Sequence, residues 1–549
     1  MSTRRDHRGF GEAIKEETEA MGDRKPIALF MAFGTKGDVF PVAALAAAFS
    51  CDQKQYEVSF ITHSAHQGLS ADFAAKNVTF IPISSPPVLA PHQHEQISDS
   101  KPSSVDSYCE HNNFSFRKRM IEEEHRRECL AAAERIFGSD INKEGDFIAI
   151  NFFALEGWHL ADLFQVHCIV TAPYVVPYSA PSSFEYQFKK DLPLLYQYFQ
   201  EAPVGTVGWK DVLHWMWPLF METWGSWRNN ILKLSSIPFM DPVTDLPLWH
   251  IRTESPLLLY GFSQKIVECP GYWPPNVYSC GFWFLPMEWQ FSCEKCRLAF
   301  SNNSSIPPAL EELCQRHASL QNFLNGPSNP PIFVGLSSIG SMGFLTNPKA
   351  LVAVLQRVIE ATEYRFILFT SGYEPLDASI RYLADNAIPN TSHMLEETDS
   401  TFLFNNRLFC FSGSIPYRWL FPRCVVAIHH AGSGSTAAAL HAGIPQVLCP
   451  YLLDQFYWAE RLCWIGVAPD PLPRQHLCPD SLDDVNINAA CDALRAAIDH
   501  ATSAKIRLQA SHIAKKISSE EAICPSVVVV MHSHAFIKSG FWTVFILSN

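Results

Sequence analysis

Short apolar runs, rich in β-branched and aromatic residues, recur from Lys25 onward: IALFMAF, YEVSFITH, NVTFIPIS, DFIAINFF, HCIVTAPYVVPY and PLLLYGFS. Turn residues bound each run, and a helix-length stretch separates it from the next. Strands alternating with helices build βαβ units, and these units build a parallel sheet. The alternation stops between Pro286 and Pro331, where SNNSSIPP and NGPSNPP have linker composition around a helical segment near ALEELCQRHASLQNFL. It then resumes with PIFVGLSS, YRFILFTSG, RLFCFSGS, CVVAIHHAG and PQVLCPY. The expected fold class is α/β, with two Rossmann-like domains facing across a cleft and ligands seated outside the strand C-termini. The expected boundaries are a disordered tail over 1–25, a first domain over 26–285, a linker over 286–325, a second domain over 326–515 and a tail over 516–549.

A chain of 549 residues with 47% hydrophobic residues has ample material for more than one core. Its 42 basic and 55 acidic residues give a net charge of -13, which argues against nucleic acid as the main partner. The N-terminal stretch carries basic residues but no apolar segment of signal type, and no apolar run reaches the ~18 residues of a membrane span. A cytoplasmic protein with reduced thiols is the expectation. The apolar tail SGFWTVFILSN is too short to span and is read as a packed tail or a peripheral membrane contact.

Two glycine turns stand out. In the first, GTKGDVFP over 34–41, the glycines lack G-x-G-x-x-G spacing and Asp38 sits at the mouth of the turn. Asp38 is either a cap for a helix over 41–50 or a proton acceptor in the cleft. In the second, HHAGSGST follows the strand VVAI and opens the helix AAALHA. Such a turn offers backbone N–H groups and a positive helix end to an anion. Gly432 and Gly434 permit close approach, Ser435 and Thr436 add hydroxyls, and His430 can donate from its imidazole. On these residues alone, a plain strand-to-helix turn is the competing reading.

The stretch 419–469, WLFPRCVVAIHHAGSGSTAAALHAGIPQVLCPYLLDQFYWAERLCWIGVAP, resembles the nucleotide-sugar site of family 1 glycosyltransferases with the GT-B fold. More narrowly it is similar to the sterol 3β-glucosyltransferase branch, as are GTKGDVFP, YWPPNVYSCGFWFLP and IPYRWLFPRC. The resemblance runs from about 26 to about 515. It departs at Lys36, where the branch has Arg, and at Ala431 and Ser433, where it has Gly and Ala. VGLSSIGSM also replaces the branch's G-F-G-S loop, and the linker is longer. The resemblance implies that His430 and the turn Gly432–Thr436 hold the diphosphate of UDP-glucose. Ser337 and Ser338 reach it from the other side, Ile415 lies beside the uracil, and Asp454 with Gln455 bonds the sugar hydroxyls. It implies Asp38 as the general base of an inverting transfer of glucose to a sterol or similar apolar hydroxyl, giving a β-glucoside. For Asp454 a helix N-cap is the alternative.

The aromatic stretch VLHWMWPLFMETWGSWRNNILKL reads as part of a pair of amphipathic helices over 191–250, mostly core, with the option of lining an acceptor cleft. No D-x-D triplet occurs in the chain, so no metal or other cofactor is expected at the donor site. Cys293, Cys296, Cys314 and His317 have the spacing of a structural zinc site, but the resemblance supplies no such metal and incidental cysteines are the ordinary reading. His63 and His66 follow the second strand and could face the cleft, although a surface or capping place is the ordinary reading. Rival functions are the same transfer to a terpenoid or phenolic acceptor, and a GT-B protein without turnover that binds lipid or a partner. A NAD-dependent dehydrogenase is disfavoured because neither turn carries the dinucleotide fingerprint.

Overall fold

The computed structural model describes residues 24–88, 104–138, 143–174, 180–221, 224–236, 239–241, 243–250, 252–268, 271, 273–302, 312–326, 329–387, 399–518 and 531. Residues 1–23 of the expected disordered tail 1–25, and nearly all of the C-terminal stretch beyond Ser518, lie outside the described residues.

The first sheet has seven parallel strands: β1 (Ile27–Met31), β2 (Glu57–His63), β3 (Val78–Ile83), β4 (Phe147–Ile150), β5 (His167–Ala172), β6 (Leu257–Tyr260) and β7 (Val277–Ser279), in the order β3-β2-β1-β4-β5-β6-β7. Its centre is apolar on both faces, with Leu29, Phe30, Ile148 and Ala149 fully buried, as a parallel sheet covered by helices requires. Each large apolar side chain so covered contributes about 1.5–3 kcal/mol against conformational entropy. Three helices flank its central strands in the chain: α1 (Lys36–Asp52) between β1 and β2, α2 (Ser104–Phe137) before β4, and α3 (Glu156–Phe164) after it.

The second sheet has six strands: β8 (Ile332–Gly335), β9 (Phe366–Phe369), β10 (Ser400–Leu403), β11 (Leu408–Phe411), β12 (Val426–His429) and β13 (Gln446–Leu448), in the order β10-β11-β9-β8-β12-β13. All pairs are parallel except β10 with β11. The linker contributes α4 (Glu294–Asn302) and α5 (Ala318–Leu324), and the second domain α6 (Ser433–Ala442), α7 (Asp454–Trp464), α8 (Asp484–Ala501) and α9 (Ala504–Ile517).

The strand order reverses between β1 and β4 in the first sheet and between β8 and β12 in the second. These are the switch points at which doubly wound sheets open a crevice. Both glycine turns leave their sheets there. The two halves are held together by a core in which Trp458, Leu462 and Ile513 join side chains of the first domain. Arg461 also donates from Nε to the carbonyl of Ile266 at 2.6 Å.

Three features differ from expectation. β7 and β10 carry no strand signal in the sequence, because VYS and STFL are too short to show periodicity. The helix expected over 41–50 begins at Lys36 and carries Pro41 within it. The aromatic segment is a series of short helical turns, two of them π-type, over Val212–Met216 and Ser226–Ile231. Aromatic packing between Trp158 and Trp215, 5.4 Å apart, and between His159 and Trp224, 4.4 Å apart, fixes it where helix propensity is weak. Among the described residues, no helix is long and apolar enough to cross a membrane.

Candidate active site

A cleft of about 910 Å3 opens between the two switch points. Its polar wall comes from the turn after β1, the start of α6 and the start of α7. Its apolar wall includes Phe40, Phe152, Tyr174, Trp215, Trp217 and Phe284.

Asp38 is the third residue of α1 rather than the residue before it. Its Oδ2 accepts from the Thr35 backbone N–H at 2.7 Å and from Thr35 Oγ1 at 2.8 Å, so the side chain bonds back to the helix start. Among the described residues Oδ1 has no hydrogen-bond partner, and Asp38 faces the cleft. Gly34 makes this possible: its φ is +104°, and a Cβ there would lie 2.7 Å from Asp38 Oδ2. Asn151, at the end of β4, fastens the turn by accepting from Phe33 N at 3.2 Å and donating to the carbonyls of Phe33 at 2.8 Å and Asp38 at 3.3 Å. Burial raises the Asp38 pKa to about 6, against the two Thr35 bonds, which lower it. The helix-start bonds thus occupy one oxygen of the carboxylate and leave the other open to the cleft.

The second turn is built on strain. Ala431 has φ +64°, a left-handed conformation that costs a non-glycine residue about 1–2 kcal/mol. His429, fully buried, supports it: Nδ1 accepts from Ala431 N at 3.1 Å while Nε2 pairs with Gln446 Oε1 at 3.0 Å. Burial pushes the pKa of His429 down to about 3, keeping it the neutral tautomer this bond needs. Gly432 precedes α6, and a Cβ on it would meet His430 Nε2 at 2.6 Å. His430 pairs through Nε2 with Ser338 Oγ at 3.3 Å. Its pKa is lowered by burial to about 4, so the ring is neutral at pH 7. Among the described residues no side chain caps α6, whose first amides therefore face the cleft.

Ser338, Ile415, His430, Gly432, Gly434, Ser435, Asp454 and Gln455 all line the cleft with Asp38. Thr436 does not: it is fully buried and turned into the protein. Ser337 begins the helix Ser337–Ser341, and its side chain lies outside what is described. Asp454 is the first residue of α7, and Leu453 holds the N-cap position. The N-cap alternative for Asp454 therefore fails. Burial, and after it the charge of Asp38 across the cleft, raises the Asp454 pKa to about 8. Gln455 Oε1 accepts from the amides of Tyr451 at 2.9 Å and Leu452 at 3.2 Å, which shapes the loop ahead of Asp454.

Sequence reasoning missed two supporting residues, Asn151 and His429, and of the two histidines it allowed at the cleft only His66 lines it. His66 is buried, not a surface residue, and its Nε2 bonds the Gly34 carbonyl at 3.0 Å, while His63 is buried beside Ser85. Asn151 and His429 position the two turns; both follow apolar runs, which is the only signal the sequence carries for them. Cys293, Cys296, Cys314 and His317 are not incidental in placement: their donor atoms all lie within 4.8 Å of one another.

Residues 405–521 match the family model described as erythromycin biosynthesis protein CIII-like, C-terminal domain. A sterol 3-beta-glucosyltransferase of Arabidopsis thaliana is 25% identical over 268 residues, covering 49% of this chain and 32% of that protein. One from Debaryomyces hansenii is 24% identical over 388 residues, covering 70% of this chain and 20% of that protein. The chain thus spans between a fifth and a third of the length of these relatives. In structure, the glycotransferase of kitacinnamycin superposes with a TM-score of 0.52 at 13% identity, covering 94% of this chain and 100% of the other. The fold is GT-B.

Proposed function

We propose that the chain is a family 1 glycosyltransferase of the GT-B fold and that it transfers glucose from UDP-glucose to a sterol hydroxyl with inversion, giving a β-glucoside. The observation that carries this reading is the opposition of two turns across one cleft. Asp38 presents a carboxylate oxygen on one side, and His430 with the open amides of α6 presents donors on the other. Asp38 takes the proton of the acceptor hydroxyl as that oxygen attacks C1 of the sugar. The bond from C1 to the phosphate oxygen breaks from the opposite face, and UDP leaves. The α6 amides, the helix dipole, His430 and Ser338 stabilise the charge that builds on the departing diphosphate. Asp454, held largely protonated near neutrality, can both donate to and accept from sugar hydroxyls, and Gln455 has its amide nitrogen free of the loop bonds. The apolar wall around Trp215, Trp217 and Phe152 suits a rigid hydrocarbon acceptor.

The test is incubation of the full chain with labelled UDP-glucose and a panel of sterol, terpenoid and phenolic acceptors, with mass and anomeric analysis of the product. A β-glucoside of a sterol, formed without added manganese or magnesium, is the expected result. UDP binding without transfer to any acceptor would leave a lipid or partner binder instead. Transfer confined to phenolics would overturn the sterol assignment.

A further inference from the structure

The linker holds a second cluster that the transfer reaction does not use. Cys293 precedes α4 and Cys296 lies in its first turn, while Cys314 and His317 bracket the short 3-10 turn before α5. Cys293 Sγ is 3.5 Å from Cys314 Sγ, and His317 Nδ1 is 3.4 Å from Cys296 Sγ and 3.5 Å from Cys314 Sγ. Tetrahedral zinc with metal–sulfur bonds of ~2.3 Å sets its donors about 3.5–3.8 Å apart; three of the donor pairs are already at 3.4–3.5 Å and all four donor atoms lie within 4.8 Å of one another. Cys293, Cys296 and His317 are buried. Among the described residues, no other group of three or more such donors converges in this way.

We propose that Cys293, Cys296, Cys314 and His317 bind one zinc ion, a structural site that ties the two helical segments of the interdomain linker to each other where they pack against the loop carrying Ile415.

Three observations support it. First, cysteines buried as small apolar side chains have no reason to turn their sulfurs towards one imidazole nitrogen; three sulfurs and a nitrogen form a borderline-soft, four-coordinate donor set that suits zinc. Second, backbone N–H groups already serve the sulfurs: Cys314 N donates to Cys296 Sγ at 3.4 Å. A divalent ion binds the thiolate form of each cysteine by replacing its proton. Third, a disulfide between Cys293 and Cys314 would use two donors and leave Cys296 and His317 facing each other unexplained.

The location gives the site its consequence. Cys293 and Cys296 pack in one apolar cluster with Phe291, Phe411 and Ile415, and His317 lies 5.8 Å from the Phe411 ring. The adjoining residue Ser292 exchanges backbone and hydroxyl bonds with Ser414, and Ser414 Oγ donates to the carbonyl of Gln290 at 3.1 Å. Gln290, Ser414 and Ile415 all line the cleft. An ion at the cluster would therefore fix the cleft's floor without contacting substrate.

The untagged full chain, produced in zinc-supplemented medium and purified under reducing conditions without chelator, is analysed by elemental mass spectrometry. About one zinc per chain is expected, lost in His317→Ala and retained in His317→Cys, which restores a fourth sulfur. Replacement of zinc by cobalt should give the intense visible absorption of tetrahedral cobalt thiolate. If His317→Ala fails to fold, the cobalt spectrum of the parent decides. Substoichiometric zinc that the variants do not change, the absence of a cobalt thiolate spectrum, or a Cys293–Cys314 disulfide in the reduced preparation would each overturn the site. None of these readouts depends on sugar transfer.

Discussion

At the scale of single residues, Asp38 uses one oxygen to bond the start of its helix and turns its side chain to the cleft. Asn in its place can still accept the Thr35 amide bond but cannot take a proton. Asp38→Asn is expected to lower acceptor turnover by about 10²- to 10⁴-fold, with UDP affinity and melting temperature nearly unchanged. Near-normal turnover in a folded variant would leave Asp38 a cap only. Because the free acid has a pKa of about 6, kcat/KM of the parent should fall as pH drops through that value, the proton acceptor being lost. Ala431 makes the opposite case, a residue that the fold tolerates at a cost. Relief of its φ of +64° is worth about 1–2 kcal/mol, offset by the ~0.4–1 kcal/mol of extra chain freedom that glycine brings to the unfolded state. Ala431→Gly should therefore stabilise the protein by up to about 1 kcal/mol in denaturant unfolding, and a loss of stability would contradict the strain. HHAGSGST displayed both turn and helix start in the sequence. It could not display the backbone sign at Ala431, because alanine carries no mark of a left-handed conformation.

Among the elements, the helix starts do the positioning. α6 begins at Ser433 with no side-chain cap among the described residues, and Gly432 lets the His430 imidazole lie against its first turn. Gly432→Ala would place a methyl 2.6 Å from Nε2 and drive the ring away from Ser338. UDP affinity is expected to fall about tenfold or more, since a hydrogen bond to a charged group contributes about 1.5–3 kcal/mol. The fold should survive, since no φ constraint applies there. Unchanged affinity by calorimetry would remove His430 from the donor site. α7 illustrates a limit of reading elements from sequence. A carboxylate at the start of a helix ordinarily reads as a cap, yet Leu453 takes that position and leaves Asp454 turned to the cleft. Local pattern located the start of the helix to within one residue, but the entry angle of the chain decided where the acid points.

Over the whole molecule, the cleft brings together two acids from separate sheets. Burial and the facing Asp38 raise Asp454 to about 8, so protonated Asp454 favours the folded state. Its favourable contribution is complete below the unfolded value of about 4 and is lost as pH rises through 8. In ligand-free protein, Asp454→Asn should melt with the parent near pH 4 and at progressively higher temperature than the parent up to pH 8. Parallel melting curves across that window would show that the Asp454 pKa is not raised in the folded protein.

Sequence by itself determined the α/β class, the two blocks of alternation, the strands from IALFMAF to PQVLCPY and the two glycine turns. These rest on local rules: apolar runs of strand length, glycine where backbone must pass closely, an anion-binding helix start. The stretch 419–469 also carried the resemblance to glycosyltransferases. Tertiary structure alone decided that Thr436 turns inward, that His66 and Asn151 fasten the turn of Asp38, and that Asp38 and Asp454 share one cleft. It likewise gathered Cys293, Cys296, Cys314 and His317 around one point. The physical reason is sequence separation. Burial and repulsion between like charges are properties of groups that meet only once the sheets are packed, and no window along the chain contains them; the cysteine–histidine cluster lies in one linker whose spacing the sequence displayed, and only its convergence is tertiary.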